Sequence, residues 1–315
     1  MISKIIFENV ENGRRVELNQ SGSTKYVFKN EDIDWGSANA KHNTYTYPGQ
    51  VGSYISSTTV KERTPLFKGY VVYVPTKDEL KLSKSELLEI VEKNIESAKE
   101  ELSKIVNPLQ YVKVIVGDYY LKGKPESSIK FGKSVQENNE YFCKFTISLY
   151  CNDPLFHRAT NLQTILSGSE AGFHFPLILK NTGFIFGRRY SYSLINIVND
   201  GDIPVGGIFI IEATGTVKNI RVENVHTGEF FIIYKTLVAG EKVIVNTTEG
   251  TERSVTGELG GTKNLNYFQY WGYEGQWLQF NVGTSLIGYS VEEGNEQNVN
   301  MYLELNTQKY SLKDM

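Results

Sequence analysis

One predicted helix, surrounded by strand patterns, limits the possible folds of this chain more than any other feature of its sequence. Between residues 82 and 107 the apolar positions recur at steps of three and four, which is the spacing of one helix face. Ser83 and Glu86 form a capping box that begins the helix, and Asn107-Pro108 ends it. About 22 residues at 1.5 Å each span about 33 Å. We therefore expect an α-helix at about 83–106 that packs across a sheet through an apolar face carrying Leu88, Val91, Ile95, Ala98, Leu102 and Ile105.

The segments on both sides of this helix alternate apolar and polar residues, which is typical of half-buried β-strands. Before the helix come SKIIFENV, RRVEL, KYVFKN and YISSTTVKERTPLFKGYVVYV, and after it come YVKVIV, SSIKFG and YFCKFTISLYC. The 20 Tyr, 16 Phe and 28 Gly supply strand formers and turn residues. These patterns predict a β barrel or sandwich with one inserted helix. The helix should bring the strands around Val71 and Val114 near each other, and whether those strands pair is left open.

A second domain is predicted to begin at the turn Asn152-Asp153-Pro154. Proline cannot donate to a strand ladder, and Asn and Asp favour turns, so the preceding strand should stop here. The rest of the chain is a series of short strands separated by Gly, Asn-Asp-Gly and His-Thr-Gly turns, which is typical of a two-sheet sandwich or jelly roll. The sequence therefore predicts a mainly β chain with two domains, residues 1–152 and 153–315.

Composition narrows the classes of partner. The 33 basic and 36 acidic side chains give a formal net charge of -3, so a nucleic acid has no general electrostatic reason to bind, and a protein or neutral partner is favoured. The opening MISKIIFENV lacks the apolar core of a secretory signal, and no later window approaches the apolar length of a membrane helix. We expect a soluble chain. Cys143 and Cys151 stand too far apart on one strand to bridge, and we interpret both as reduced core thiols.

The stretch LYCNDPLFHR, residues 149–158, is the first place to look for catalysis. Cys151, Asp153 and His157 are the residue types of a nucleophile, an acid and a base, but neighbours along a strand end point to opposite faces. We interpret the stretch as an interdomain turn with Phe156 as its apolar anchor and His157 and Arg158 at the surface.

Other chemical motifs are incomplete. Gly132-Lys133-Ser134 lacks the earlier glycine and the following helix of a phosphate loop. None of the four histidines, at 42, 157, 174 and 226, has metal-ligand spacing to another or to a cysteine. A glycosidase would need two carboxylates about 5 to 9.5 Å apart, and the sequence shows no such pair. We expect no catalytic, cofactor or metal site, and no enzyme activity.

The aromatic stretch NYFQYWGYEGQWLQF, residues 266–280, is the main candidate for binding. Exposed aromatic side chains on a β sandwich can form a platform for the apolar face of a sugar ring. Trp271, Tyr273 and Trp277 are therefore candidates for a weak sugar or partner surface. The same glycine-flanked pattern also fits a strand that closes a core, so both interpretations stay open.

Several of these segments together resemble the distal tail protein (Dit) family of long-tailed bacteriophages. In the first domain the resemblance covers NEDIDWGSANAKHNTYTYPGQVGSYISSTTVKERTPLFKGYVVYV, the helix ending in IVNP, and SLYCNDPLF. In the second it covers NDGDIPVGGIFIIEATGTVKNIRVEN, VIVNTTEGTERSV and WLQFNVGTSLIGYS. The likeness lies in the order and spacing of these segments across nearly the whole chain.

The resemblance implies a structural protein of the virion tail, made in the host cytoplasm. The first domain would form a homohexameric ring, and the second would be a galectin-like sandwich outside it. The ring would be a baseplate hub that joins the tail tube to the tail-tip or baseplate proteins. An alternative is a carbohydrate-binding module that attaches the particle to a host cell-wall glycan. Neither role implies a cofactor, a membrane partner or sequence-specific contacts with nucleic acid.

Overall fold

The computed structural model describes residues 2–22, 24–139, 141–171, 187–191 and 194–313. Within them one α-helix accompanies 24 β-strands, which confirms the mainly β fold with a single inserted helix. Contacts divide the chain into two compact units, Met1–Ala159 with Lys309–Met315, and Thr160–Gln308. The division follows residue 159, whereas the sequence places it after 152, because the strand after Pro154 still pairs inside the first unit.

The first unit is built around a closed barrel. Seven strands follow one another in the order β7-β3-β2-β1-β8-β9-β11, and the barrel closes because β11 pairs with both β7 and β9. All of these neighbours are antiparallel except β2 and β3. The strands of Val71 and Val114, β7 and β8, do not pair, because β3, β2 and β1 lie between them. The bounds are β1 Lys4–Asn9, β2 Arg15–Asn19, β3 Tyr26–Val27, β4 Ile33–Asp34, β5 Ala40–Tyr45, β6 Tyr54–Val60, β7 Leu66–Val72, α1 Lys84–Ile105, β8 Val112–Val116, β9 Tyr119–Pro125, β10 Lys130–Phe131, β11 Phe142–Tyr150 and β12 Phe156–Arg158.

Helix α1 begins and ends as the sequence predicts. Ser83 and Glu86 form the capping box, which satisfies backbone N–H groups of the first turn. The apolar face is buried from Val91 to Ile105, and Leu88 is only partly buried. Two long-range hydrogen bonds fix the helix to the barrel: the Tyr26 hydroxyl donates to the Ala98 carbonyl at 3.0 Å, and the Asn9 amide donates to the Ile105 carbonyl at 2.9 Å. No helix in the described part of the chain is long and apolar enough to span a membrane.

The barrel interior is filled by alternate residues of its strands, with aromatic rings at its centre. Phe7 and Phe67 meet edge to face with their centroids 5.2 Å apart, and Trp35 meets Phe67 at 5.1 Å. Such pairs stabilise a core beyond the area that they bury. Phe156 packs against Trp35 at 5.8 Å and is itself buried, so the residues after the Pro154 turn remain part of this core.

The second unit consists of two sheets with a shared core. One sheet has the order β14-β13-β23-β16-β19-β20-β21 and the other β15-β22-β17-β18. Phe209 on the first and Phe231 on the second meet at 5.1 Å, so the sheets pack face to face as a sandwich. Residues 172–186, which the sequence analysis includes in the strand series, lie outside the described residues. The bounds are β13 Leu162–Ala171, β14 Gly187–Ser191, β15 Leu194–Asn199, β16 Gly207–Ala213, β17 Val217–Asn224, β18 Phe230–Leu237, β19 Lys242–Asn246, β20 Ser254–Leu259, β21 Thr262–Asn266, β22 Gly283–Gly294 and β23 Val299–Leu305. The last strand, β24 Gln308–Lys309, belongs to the sheet of the first unit, where it neighbours β12.

Candidate functional site

The hairpin formed by β5 and β6 stands apart from the barrel sheet. These strands pair only with each other in the described part of the chain, and every residue of both is exposed. Polar side chains link the strands: His42 Nδ1 lies 2.9 Å from Thr58 Oγ1, and the Asn43 amide donates to Ser57 Oγ at 2.9 Å. Strand β5 was not predicted from the sequence, because AKHNTY has no alternation of apolar residues. Only the strand pattern of its partner β6 indicates that a paired strand lies nearby.

Three tyrosines cluster at the tip of this hairpin. Tyr45 and Tyr54 lie opposite each other and stack with their centroids 5.7 Å apart, and Tyr47 meets the edge of Tyr45 at 5.2 Å. They remain 46%, 54% and 58% exposed, and Ile55 beside them is 59% exposed. An isolated two-stranded hairpin is only marginally stable in water, and its free edges invite pairing with another chain. The tip therefore has the composition and exposure of a contact surface.

A second aromatic cluster lies in the sandwich, where the loop 266–280 packs on β18. The Gly272 N–H donates to the Ile232 carbonyl at 2.9 Å, and the Gln276 N–H donates to the Phe230 carbonyl at 2.7 Å. These bonds hold the two tryptophans of the loop against the sheet. Glycine at 272 fits because a side chain there would begin 3.0 Å from the Tyr234 ring.

Four rings of this loop and β18 form one near-parallel stack. Phe231, which is buried, stacks on Trp271 at 5.3 Å, Trp271 stacks on Trp277 at 4.3 Å, and Trp277 stacks on Phe268 at 6.3 Å. Both broad faces of Trp271 are therefore covered by other rings. Phe268, which is 52% exposed, forms the outer end of the stack.

Tyr273 does not join this stack. Its side chain is 98% exposed, and it has no ring partner in the described part of the chain. The adjacent Glu274 accepts a hydrogen bond from the Tyr234 hydroxyl, which raises the pKa of Tyr234 and lowers that of Glu274. Of the three candidate residues, the structure thus brings Trp271 and Trp277 together and leaves Tyr273 separate. A flat ligand would have to lie on Tyr273 or on the outer face of Phe268.

In the stretch 149–158, Asp153 and His157 contact each other, but the Cys151 thiol is not activated as a nucleophile. His157 Nε2 donates to the Asp153 carboxylate across 2.6 Å, and His157 stacks on Tyr120. Cys151 is buried, and burial raises the pKa of its thiol to about 12, so it is not a thiolate near neutral pH. His157 and Arg158, expected at the surface, are partly buried.

The phosphate-loop-like motif and the histidines of the sequence do not form a nucleotide or metal site among the described residues. The loop of Gly132, Lys133 and Ser134 connects β10 to β11, so no helix follows it. No group of three or more His, Cys, Asp or Glu is placed to hold a metal ion among the described residues, and His174 lies outside them.

The fold is similar to that of a phage hub protein of known structure. Across 96% of this chain and 98% of the other, it superposes with a TM-score of 0.58 and 10% sequence identity on the Dit protein of phage SPP1, described as a paradigm of the hub adsorption apparatus of phages that infect Gram-positive bacteria. The resemblance to distal tail proteins is thus confirmed at the level of the fold.

Other comparisons are more distant. Chains of the activated phage P2 baseplate, with calcium and with strontium, align over 96% and 97% of this chain and 98% of theirs at 10% identity, with TM-scores of 0.46 and 0.45. No family model matches the sequence, and no curated protein matches it.

Proposed function

We propose that this chain is a structural protein of a phage tail and forms the ring-shaped hub that joins the tail tube to the tail tip or baseplate. The observation that carries the proposal is the fold shared with the SPP1 hub protein over 96% of the chain. The proposed ring is a homohexamer built by the first domain, with the second, galectin-like domain outside it. Its place is the virion tail, and its role needs no bond to be made or broken.

The exposed hairpin supplies a physical reason for contact between subunits. None of its 13 strand residues is buried in the single chain, since every one of them is exposed. The tyrosine tip adds three rings and the exposed Ile55. Tyrosine offers a large, rigid contact area at a low cost in conformational entropy, which suits an interface. Covering the tip with a second copy removes this apolar surface from water and stabilises the hairpin.

A ring follows if that contact is heterologous. When one surface of a subunit meets a different surface of the next, the rotation either closes into a ring or continues as a filament. A hairpin that has no counterpart beside it in its own unit is suited to reach a different surface of a neighbour. Six copies are the number that the family resemblance implies.

Light scattering of the purified chain tests this proposal. We expect a particle with about six times the chain mass, and rings in negative-stain images. The double variant Tyr45→Ser, Tyr54→Ser removes the stacked pair at the tip and should shift the particle to monomers. Tyr273→Ser, on an exposed tyrosine of the other unit, is the matched control and should leave it intact. A wild-type chain that stays monomeric at high concentration, without rings, would refute the proposal.

We propose, second, that the loop 266–280 binds a partner protein or a cell-wall glycan. Tyr273 is its most accessible side chain, and the stacked Trp271 and Trp277 are only partly buried, so that their fluorescence can report on binding. Titration with wall polysaccharide should change the tryptophan fluorescence, and Tyr273→Ala should reduce that change. Fluorescence that is unaffected at saturating polysaccharide excludes the glycan.

A further inference from the structure

The outer face of β8 and β9 carries a cluster of lysines and tyrosines that the proposed function does not use. We define the Lys–Tyr face as Tyr111, Lys113, Tyr120, Lys122 and Lys124. On β9 the residues Leu121, Gly123 and Pro125 are buried, so the side chains at the alternate positions 120, 122 and 124 point outward. On β8, Val112 and Val114 are buried, and Lys113 points outward with them.

Strand register brings the three lysines together. Lys113 lies directly opposite Lys122 in the pairing of β8 with β9, and Lys124 lies two residues further along β9. Opposed residues on neighbouring strands have Cβ atoms about 5 Å apart, and alternate residues of one strand are about 6.6 Å apart. Like charges directly opposite destabilise a sheet. The repulsion between Lys113 and Lys122 therefore favours the approach of an anion to this face.

Tyrosine rings, and not carboxylates, hold the lysine ammonium groups. The Nζ atoms of Lys122 and Lys124 lie 4.8 Å and 4.7 Å from the centre of the Tyr111 ring, and that of Lys113 lies 4.7 Å from the centre of Tyr120. Within the described ranges, none of the three has a carboxylate at ion-pair distance. A cation over an exposed ring is stabilised by only about 0.5 to 1 kcal/mol.

Two acidic groups near this face are bonded to other residues. Glu8 of β1 lies directly opposite Lys113 of β8, and its carboxylate is bonded to Arg15 Nε at 2.9 Å. Asp153, near Tyr120, is bonded to His157 at 2.6 Å. The positive charge of the face therefore stays available, although the chain as a whole is mildly acidic.

We propose that the Lys–Tyr face binds the phosphodiester backbone of single-stranded nucleic acid without sequence preference. The lysines project from one face of the sheet at spacings set by the strands, which suits a chain of regularly spaced anions better than one small anion. Single-strand binding surfaces combine backbone-tracking cations with aromatic rings on which bases stack. When Lys122 and Lys124 move from the Tyr111 ring to phosphates, the face of Tyr111 that they cover becomes free for a base, whereas Tyr120 stays stacked on His157.

Salt dependence sets the expected size of the effect. Each phosphate neutralised on a single strand contributes a slope of about −0.7 to the plot of log affinity against log salt. Three lysines give a slope of about −2, so affinity should fall roughly 20-fold between 50 and 200 mM salt. The proposal does not depend on the ring, because one chain carries the whole face.

Fluorescence anisotropy with a labelled 20-nucleotide oligothymidine tests the proposal. We expect binding at 50 mM salt with this slope. The variant Lys113→Gln, Lys122→Gln, Lys124→Gln should bind at least tenfold more weakly and with a flatter slope. The matched control Lys84→Gln, Lys93→Gln, Lys104→Gln removes the same charge from exposed positions of α1 and should keep most of the affinity.

Two further arms separate nucleic acid from other anions. Tyr111→Ala should weaken binding of the oligonucleotide while leaving the salt slope nearly unchanged, because it removes a stacking ring and no charge. Poly-glutamate at equal charge should displace the probe poorly. No wild-type binding at 50 mM salt, equal loss in both triple variants, or equal displacement by poly-glutamate would overturn the proposal.

Discussion

Asn9 gives the sharpest test of how the helix is held to the barrel. Its side chain is fully buried and makes four hydrogen bonds: it donates to the Ile105 carbonyl at 2.9 Å and to Gln110 Oε1 at 2.8 Å, and accepts from the N–H groups of Glu11 and Asn12. The Ile105 carbonyl belongs to the last turn of α1, where no intrahelical N–H can reach it. In Asn9→Ala this buried carbonyl loses its donor.

The expected loss of stability follows from these bonds. Leaving one buried carbonyl unsatisfied costs about 1 to 3 kcal/mol, and each lost hydrogen bond of ordinary strength costs about 1 kcal/mol more. Because the turn at residues 10 to 12 can recover water, we expect a total of about 3 kcal/mol. In a unit of this size that lowers the melting temperature by roughly 6 to 12 °C.

Thermal unfolding followed by circular dichroism measures this change in Asn9→Ala. Asn12→Ala is the control, because Asn12 is exposed and its side chain accepts only from the Arg14 N–H, at 2.9 Å; it should stay within about 0.5 kcal/mol of wild type. Equal melting temperatures for wild type and Asn9→Ala would show that this buried amide does not hold the helix end.

Three further experiments test the packing of the cores and the state of their buried carboxylate and thiol groups. In Gly257→Ala the new Cβ would begin 2.1 Å from the Tyr267 ring, so overpacking should destabilise the sandwich by about 1 to 3 kcal/mol in urea unfolding. Burial raises the pKa of Glu241. Hydrogen bonds to its carboxylate, the strongest from the Tyr267 hydroxyl at 2.6 Å, lower this pKa by a larger amount, so the net shift is downward. The stability that this carboxylate contributes is present above its unfolded pKa of about 4.3 and is lost as the pH falls through its lower folded pKa. The urea midpoints of wild type and Glu241→Gln should therefore differ at pH 7, and the difference should shrink as the pH falls below about 4.3; a constant gap would contradict this. Because burial raises the pKa of Cys143 and Cys151, a thiol reagent at pH 8 should label both only after denaturation, and rapid labelling of the native chain would disprove that assignment.

The parts of the fold that follow local rules were predictable from the sequence. The helix was predictable because its apolar spacing, its capping box at Ser83 and its stop at Pro108 all concern neighbouring residues. The strand alternation of Phe142–Tyr150 likewise matches its burial, with Cys143, Phe145, Ile147 and Leu149 inside.

Long-range pairing was not predictable, because strand patterns do not specify partners. Closure of the barrel depends on β11 meeting β9 at Leu149 and Pro125, and no local feature marks that register. For the same reason the residues from Phe156 to Arg158 were assigned beyond the boundary, although they pair with β9.

The candidate surfaces were visible only in part. The aromatic composition of the loop 266–280 was clear, but the stacking of Trp271 between Phe231 and Trp277 depends on the packing of that loop on β18. The Lys–Tyr face was hidden by the overall charge of the chain, since it appears only when Lys113 and Lys122 lie on opposed strands.

Cryo-electron microscopy of the purified chain tests the central claim most directly, because it shows both the number of copies and what covers the hairpin β5–β6. We predict a closed ring with six-fold symmetry in which the tyrosine tip of each hairpin packs on the neighbouring copy. Single chains, or an assembly in which Tyr45 and Tyr54 still face solvent, would contradict the account.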